Sequence, residues 1–245
     1  MIISIRTHTW LVFALLSLAS LPLLAQEATL PPFSKMESLT DGWEPLEFPN
    51  IDQHSHYELT RENGAQVVKA QTSGGASGLI TRLNIMPEDS PMLSWRWKVS
   101  NVFAKGDARK KSGDDYPARI YVAFEFEPEK AGFFERAKRK TVEVLFGEEL
   151  PGNALNYIWA NTLPEGEFIA NPYTDKTMMI AVNSGSGNAG EWVTIERDIM
   201  ADYRKAFGEN PPPIRGIAIM SDSDNTGEQA SAWYGDISLT KAKQD

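Results

Sequence analysis

Leu93, Trp95, Trp97 and Val99 alternate with Ser94, Arg96 and Lys98, and Ile120, Val122, Phe124 and Phe126 alternate with Arg119, Tyr121, Ala123 and Glu125. A period of two puts successive side chains on opposite faces of an extended strand, so each stretch has one apolar and one polar face. Strand-like runs also cover residues 43–59, 67–70, 79–85, 155–161, 177–182 and 191–195. Residues 214–239 read as two strands around Asp222-Ser223-Asp224-Asn225-Thr226-Gly227, an antiparallel pair joined by an acidic turn. Two stretches break the rhythm. Residues 131–146 and 198–207 have helical spacing, the first ending at Gly147 and the second at Gly208 before Pro211, Pro212 and Pro213. About nine strands with two short helical insertions predict an all-β fold, an antiparallel β-sandwich of jelly-roll type.

The amino-terminal pattern is different. Arg6, an apolar run from Trp10 to Leu24 and a small residue at Ala25 predict a signal peptide over residues 1–25, hence a periplasmic or secreted protein. Residues 26–42, with Pro31 and Pro32, read as a linker, and residues 43–241 as a single domain. No other stretch is apolar enough to span a bilayer, so no stable membrane insertion is expected after cleavage.

Loss of Arg6 takes the 24 basic residues to 23 against 33 acidic ones, and the formal charge from −9 to −10. Such a surface repels phosphate, which excludes nucleic acid and disfavours anionic membranes as partners. The chain has no cysteine, so disulfides, thiolate metal sites and cysteine nucleophiles are excluded.

Several constellations offer chemistry, each with a plainer reading beside it. Asp222 and Asp224, followed by Gly227, place oxygen ligands at alternate positions as calcium loops do. Where an EF-hand carries its bidentate glutamate the chain has Trp233, so an Asx-rich structural turn is the other reading. Gly185, Gly187 and Gly190 match a dinucleotide-binding pattern, but a strand follows instead of a helix, which leaves a hairpin loop. Asp52, His54, His56 and Glu58 share one strand face, as a transition-metal site or as a solvated face. No nucleophile elbow is present.

If residues 93–99 and 118–126 pair, Arg96, Arg119, Tyr121 and Glu125 line one polar face, with Trp159 or Tyr157 as an aromatic platform. Sugars bind to such mixtures, ring faces on aromatics and hydroxyls or a uronate on planar charged groups. An ordinary solvated sheet with cross-strand ion pairs has the same composition.

Residues 93–99 (LSWRWKV), 113–122 (GDDYPARIYV), 155–160 (LNYIWA), 202–208 (DYRKAFG) and 216–239 resemble, in this order, the motifs of a bacterial exported family catalogued as domain of unknown function 3047. The resemblance implies no activity, cofactor or site residue. The closing Trp233-Tyr234-Gly235-Asp236-Ile237-Ser238-Leu239 is also similar to the last strand of galactose-binding-like and carbohydrate-binding jelly rolls, which implies architecture. The expected function is a non-catalytic module binding a glycan or other polar envelope ligand. Two alternatives stand beside it: a carbohydrate-active hydrolase or lyase, with acid–base work on Asp114 and Asp115 and Arg119 neutralising a uronate, and a structural calcium-binding envelope protein using Asp222 and Asp224.

Overall fold

The structure, a computed structural model, describes residues 30–48, 51–130, 132 and 152–242. Among the described residues, twelve strands and one α-helix follow in order: β1 (Glu44–Leu46), β2 (His56–Glu62), β3 (Ala65–Ser73), β4 (Ala76–Ile85), β5 (Met92–Val99), β6 (Arg119–Phe124), β7 (Ala154–Ala160), β8 (Phe168–Asn171), β9 (Thr174–Ser184), β10 (Val193–Asp198), α1 (Ile199–Phe207), β11 (Ile214–Asp222) and β12 (Gln229–Thr240). They form a seven-stranded sheet in the order β1-β4-β11-β6-β7-β9-β8 and a five-stranded sheet in the order β10-β5-β12-β3-β2. All pairings are antiparallel except β7 with β9, which run parallel. The fold is the expected β-sandwich. The helix expected over 131–146 lies outside the described residues.

Alternation decides which side chains enter the sandwich. Leu93, Trp95, Trp97 and Val99 of β5, with Ala232, Tyr234, Ile237 and Leu239 of β12, pack against Ile120, Val122 and Phe124 of β6 and Leu155, Tyr157 and Trp159 of β7. Trp97 is wholly buried, its ring 5.4 Å from Trp95, 5.9 Å from Trp159 and 6.5 Å from Tyr234. Its Nε1 donates to Asn183 Oδ1 at 2.7 Å, which satisfies the one polar atom that burial would otherwise strand.

Two expected pairings are corrected. β5 pairs with β10 and β12, and β6 with β11 and β7, so residues 93–99 and 118–126 lie in opposite sheets. β11 and β12 likewise belong to opposite sheets, and residues 223–228 carry the chain from one to the other. The crossing is tied to a second one, between β3 and β4, by Ser223 N–H to Gly75 O at 2.9 Å and Gly74 N–H to Ser223 Oγ at 2.7 Å. Only glycine fits at position 75, because a Cβ there would lie 2.4 Å from the Gln53 carbonyl. β2 and β3 are a true hairpin, turning at Asn63 (φ 51) and Gly64 (φ 82) as a type I′ turn requires.

Residues 30–42 do not hang free. Leu30, Phe33 and Met36 are buried in the main core with Trp43, and Gln66 Nε2 donates to the carbonyls of Phe33 and Met36 at 2.8 and 2.7 Å. Helix α1 starts at Asp198, whose Oδ1 accepts from Ala201 N–H at 3.0 Å, and stops at Gly208 in the left-handed region (φ 77). Among the described residues no helix is long and apolar enough to cross a membrane.

Candidate functional site

The seven-stranded sheet has a second buried layer on its outer face. Because Ile120, Val122, Leu155 and Tyr157 point into the sandwich, Arg119, Tyr121, Asn156 and Ile158 point out of it. There they meet Met179 and Ala181 of β9 and Tyr116, Ala108 and Leu163 from the covering loops, which form a separate apolar cluster. One row of cross-strand neighbours runs Ala218, Tyr121, Asn156, Met179, Ile169 from β11 to β8.

Arg119, at the start of β6, is the charge at the centre of this face, and its side chain is 3% exposed. Nε donates to Asp222 Oδ1 at 2.7 Å, Nη2 pairs with Asp222 Oδ2 and donates to the Asp114 carbonyl at 2.9 Å, and Nη1 donates to the Tyr121 hydroxyl at 3.2 Å. Nη1 also lies 3.8 Å from Asp114 Oδ1. The guanidinium fork is therefore spent on its own surroundings. The Tyr116 ring adds a cation–π contact, with the Arg119 guanidinium carbon 4.8 Å from its centroid.

Asp114 and Asp115 sit next to each other but do different things. Asp115, wholly buried, accepts from Asn225 Nδ2 at 2.9 Å and from Thr226 N–H at 2.6 Å, which pins the 223–227 turn. Asp114 accepts from Asn171 Nδ2 at 2.8 Å through Oδ2, while its buried Oδ1 has no hydrogen-bond donor. Burial pushes the Asp114 carboxyl above the usual carboxylate range, against the opposing pull of Arg119 and Asn171. Burial also raises the Tyr116 and Tyr121 hydroxyls, so both rings carry neutral O–H groups at neutral pH.

Asn156 is the second unsatisfied group. It is 0% exposed, and neither Oδ1 nor Nδ2 has a hydrogen-bond partner. An amide left this way costs about 1–3 kcal/mol, so its retention asks for a reason. The rim of the site is Tyr173, 55% exposed, whose hydroxyl donates to Asn225 Oδ1 at 2.8 Å.

The residues singled out in the sequence are scattered by this geometry. Arg119 and Tyr121 meet. Glu125 does not join them: it follows the end of β6, about 20 Å along the strand from Arg119 and about 13 Å from Tyr121, and pairs with Arg215 at 2.5 Å at the surface. Arg96 is on the outer face of the other sheet, its guanidinium carbon 4.7 Å from the Trp192 ring centroid, where it borders a cavity of about 380 Å³ with Ser34, Thr194 and Asp236. Trp159 and Tyr157 are wholly buried in the sandwich and present no platform: Trp159 Nε1 donates to Gly185 O at 3.0 Å and the Tyr157 hydroxyl to Asp202 at 2.9 Å. Asn156, Asn171, Tyr116 and Tyr173 were not singled out, although an asparagine between Leu155 and Tyr157 in so apolar a strand was a visible signal.

Asp222 and Asp224 are joined by Asp115 in a group whose carboxylate oxygens lie within 4.8 Å of one another. Calcium takes 6–8 oxygen ligands, and here Asp222 already faces Arg119 while Asp115 already accepts from the turn. Burial, then the charge of Asp115, raises the carboxyl of Asp224. The histidine reading fails on geometry. β2 begins at His56, so Asp52 and His54 precede the strand, and His54 lies 3.2 Å from Glu47.

No curated protein matches the chain. Among solved structures, the chain is similar to a family 11 carbohydrate-binding module from Clostridium thermocellum in complex with a β-1,3-1,4-mixed-linked tetrasaccharide (12% identity, 89% of this chain and 96% of that one, TM-score 0.39). It is also similar to a family 28 carbohydrate-binding module specific for non-crystalline cellulose (10% identity, 87% and 94%, TM-score 0.43). A third is the K2 cleaved adhesin domain of Lys-gingipain (12% identity, 86% and 98%, TM-score 0.40). At these identities no residue of those proteins carries over to this one. The sequence itself places the chain in a family: residues 41–238 match the model described as protein of unknown function (DUF3047), and the chain belongs to that family.

Proposed function

We propose that this protein is an exported, non-catalytic module that binds a glycan or other polar envelope ligand on the outer face of its seven-stranded sheet. The observation that carries the reading is the buried Asn156 amide, which has no hydrogen-bond partner and lies beside Tyr121 in the sheet, on the same face as the Arg119 guanidinium and the Tyr116 ring. A binding surface that supplies hydrogen-bonding groups beside aromatic rings suits a molecule with both hydroxyls and apolar ring faces.

Acid–base catalysis is less well supported by the same residues. The raised pKa of Asp114 suits a general acid, but a glycosidase of the two-carboxylate kind needs a second free carboxylate. Asp115 is held by the 223–227 turn and Asp222 by Arg119, and the remaining carboxylate, Asp224, is pushed up by burial and by Asp115, which suits a second acid better than the ionised partner such chemistry needs.

The test is a glycan array followed by calorimetry on the protein lacking residues 1–25. A saturable ligand is expected, with Tyr173→Ala weakening it about tenfold or more while the circular dichroism spectrum stays that of the wild type. No binding to any neutral or acidic glycan at millimolar concentration would refute the proposal.

A further inference from the structure

We propose that the outer face of the five-stranded sheet is a second binding site, which takes an oligosaccharide bearing carboxylates, a uronate chain, with Arg96 as its anchor. The site does not depend on the seven-stranded face. It is carried by where the tryptophans lie and by how Arg96 is held.

Trp43, Trp95, Trp97 and Trp159 are buried. Among the described residues the other two tryptophans, Trp192 and Trp233, are half-buried, and both lie on this face beside the same ammonium. Lys98 Nζ is 5.6 Å from the Trp192 ring centroid and 4.2 Å from that of Trp233. Trp233 is the cross-strand neighbour of Lys98 on β12, and Trp192 precedes Val193, the first residue of β10. Since β10 and β12 flank β5, the two indoles stand two strand spacings apart, about 10 Å. One sugar ring does not span that distance; an oligomer does.

Arg96 is a guanidinium that the fold positions and does not neutralise. Its central carbon lies 4.7 Å from the Trp192 ring centroid, and its stem crosses Gly235, where a Cβ would lie 2.6 Å from Arg96 Cγ and Nε. Gly235 has no positive φ to account for it, so the glycine is there to admit the arginine. The neighbouring charges are already matched. Lys98 pairs with Glu62 at 2.7 Å and Lys69 with Glu58 at 3.5 Å, and Asp236 accepts from Ser34 N–H at 2.8 Å and Ser34 Oγ at 2.6 Å. Among the described residues no carboxylate forms an ion pair with Arg96. The arginine borders a cavity of about 380 Å³ together with Ser94, Thr194 and Ser238, whose hydroxyls the strand alternation turns outward.

A carboxylate meets the guanidinium fork with two parallel N–H···O bonds, while the serine and threonine hydroxyls meet the sugar hydroxyls beside it. One unmatched cation fits one unit of negative charge, which favours a carboxylate over a phosphate carrying nearly two. The net negative charge of the chain repels a polyanion at a distance, but at physiological salt that field is screened beyond about 8 Å. The plainer explanation is a solvated arginine stacked on an indole.

Calorimetry on the protein lacking residues 1–25 separates the two. The probes are hexagalacturonate and an alginate hexamer, with cellohexaose and xylohexaose as neutral counterparts of the same length. Inorganic phosphate and free galacturonate serve as competitors. A uronate hexamer is expected to bind at least about tenfold tighter than either neutral probe, and Arg96→Gln to erase that difference. Trp192→Ala should weaken it about tenfold or more. With no ion pair to lose, Arg96→Gln should melt within about 2 °C of the wild type. Uronate binding that survives Arg96→Gln, or the absence of any preference for uronate, overturns the site. Uronate binding lost in Tyr173→Ala and kept in Arg96→Gln places the ligand on the seven-stranded sheet, which overturns the second site and leaves the function proposed above in place. Phosphate that displaces the hexamer at lower concentration than galacturonate does overturns the carboxylate. Should Arg96→Gln melt lower or unfold, Arg96→Lys decides: it keeps the charge and loses the fork, so uronate binding must still fall about tenfold, and binding kept overturns the site.

Discussion

Replacing Arg119 by methionine tests the arrangement of the whole outer face. The side chains of Arg119 and Asp222 are 3% and 1% exposed, and the pair is held by two contacts between guanidinium and carboxylate. Without the arginine, Asp222 keeps only the Tyr116 N–H at 3.3 Å, Tyr121 loses its donor and the Asp114 carbonyl loses another. Removing one partner of such a pair costs about 3–5 kcal/mol, because the other charge stays buried without compensation. Against a total stability of about 5–15 kcal/mol the loss is about a fifth or more. In a domain of this size it lowers the melting temperature by roughly 6–20 °C. Urea unfolding of Arg119→Met, Asp222→Leu and the double variant measures it. The double variant should recover much of the loss, with a coupling of about 1–3 kcal/mol, since a buried ion pair replaced whole by apolar groups is often close to neutral. A loss below about 1 kcal/mol for Arg119→Met, or strictly additive single losses, would show that the pair does not bear the fold as described.

The raised pKa of Asp114 fixes the sign of a pH effect. Its folded value lies above the unfolded one, so the contribution to stability is fully present below about pH 3.9 and is lost as pH rises through the folded value. Asp114→Asn should therefore match or exceed the wild type in denaturation midpoint at pH 7 and lose that advantage near pH 3.5; a variant less stable at pH 7 than at acid pH, relative to the wild type, contradicts the assignment. Trp97→Ala should cost about 3–5 kcal/mol, read from the urea midpoint with a collapse of the near-ultraviolet circular dichroism, because three aromatic neighbours and the Asn183 bond go with the ring. A cost under about 1 kcal/mol would mean the core repacks freely. Millimolar calcium in place of EDTA should leave the melting temperature unchanged, since Asp222 and Asp115 already have partners; a rise of several degrees would establish the calcium reading.

The face on which a side chain lies was legible in the sequence; its neighbours were not. Alternation separates Arg119 and Tyr121 from Ile120 and Val122, and Arg96 from Trp95 and Trp97, and the structure keeps each of those assignments. It says nothing about whether two strands with inward apolar faces are side by side or across the sandwich, because both arrangements bury the same residues. That single ambiguity parted Arg96 from Arg119 and β11 from β12. β8 was missed for a related reason. Phe168–Asn171 is four residues long, too short to show a period, and is held as an edge strand by β9. Pro31 and Pro32 made residues 26–42 look like a linker, yet Leu30, Phe33 and Met36 close the core beside Trp43, so composition hid an anchoring segment.

The position of Arg119 also changes what a mutation there can reveal. Read from sequence, it is a ligand contact, and Arg119→Ala is the natural binding test. Buried between Asp222 and Asp114, it instead holds the end of β11 to the loop before β6, and its loss would weaken any ligand by loosening the whole face. Weakened binding in Arg119→Ala is therefore expected for any ligand of this face, whether it touches Arg119 or not. Asn156 and Tyr173 discriminate where Arg119 does not. Neither is bound into the ion pair, one is orphaned inside the face and the other is open at its rim. If their variants fold normally and still bind, the ligand sits elsewhere, and the Arg96–Trp192 face of the five-stranded sheet becomes the surface to test.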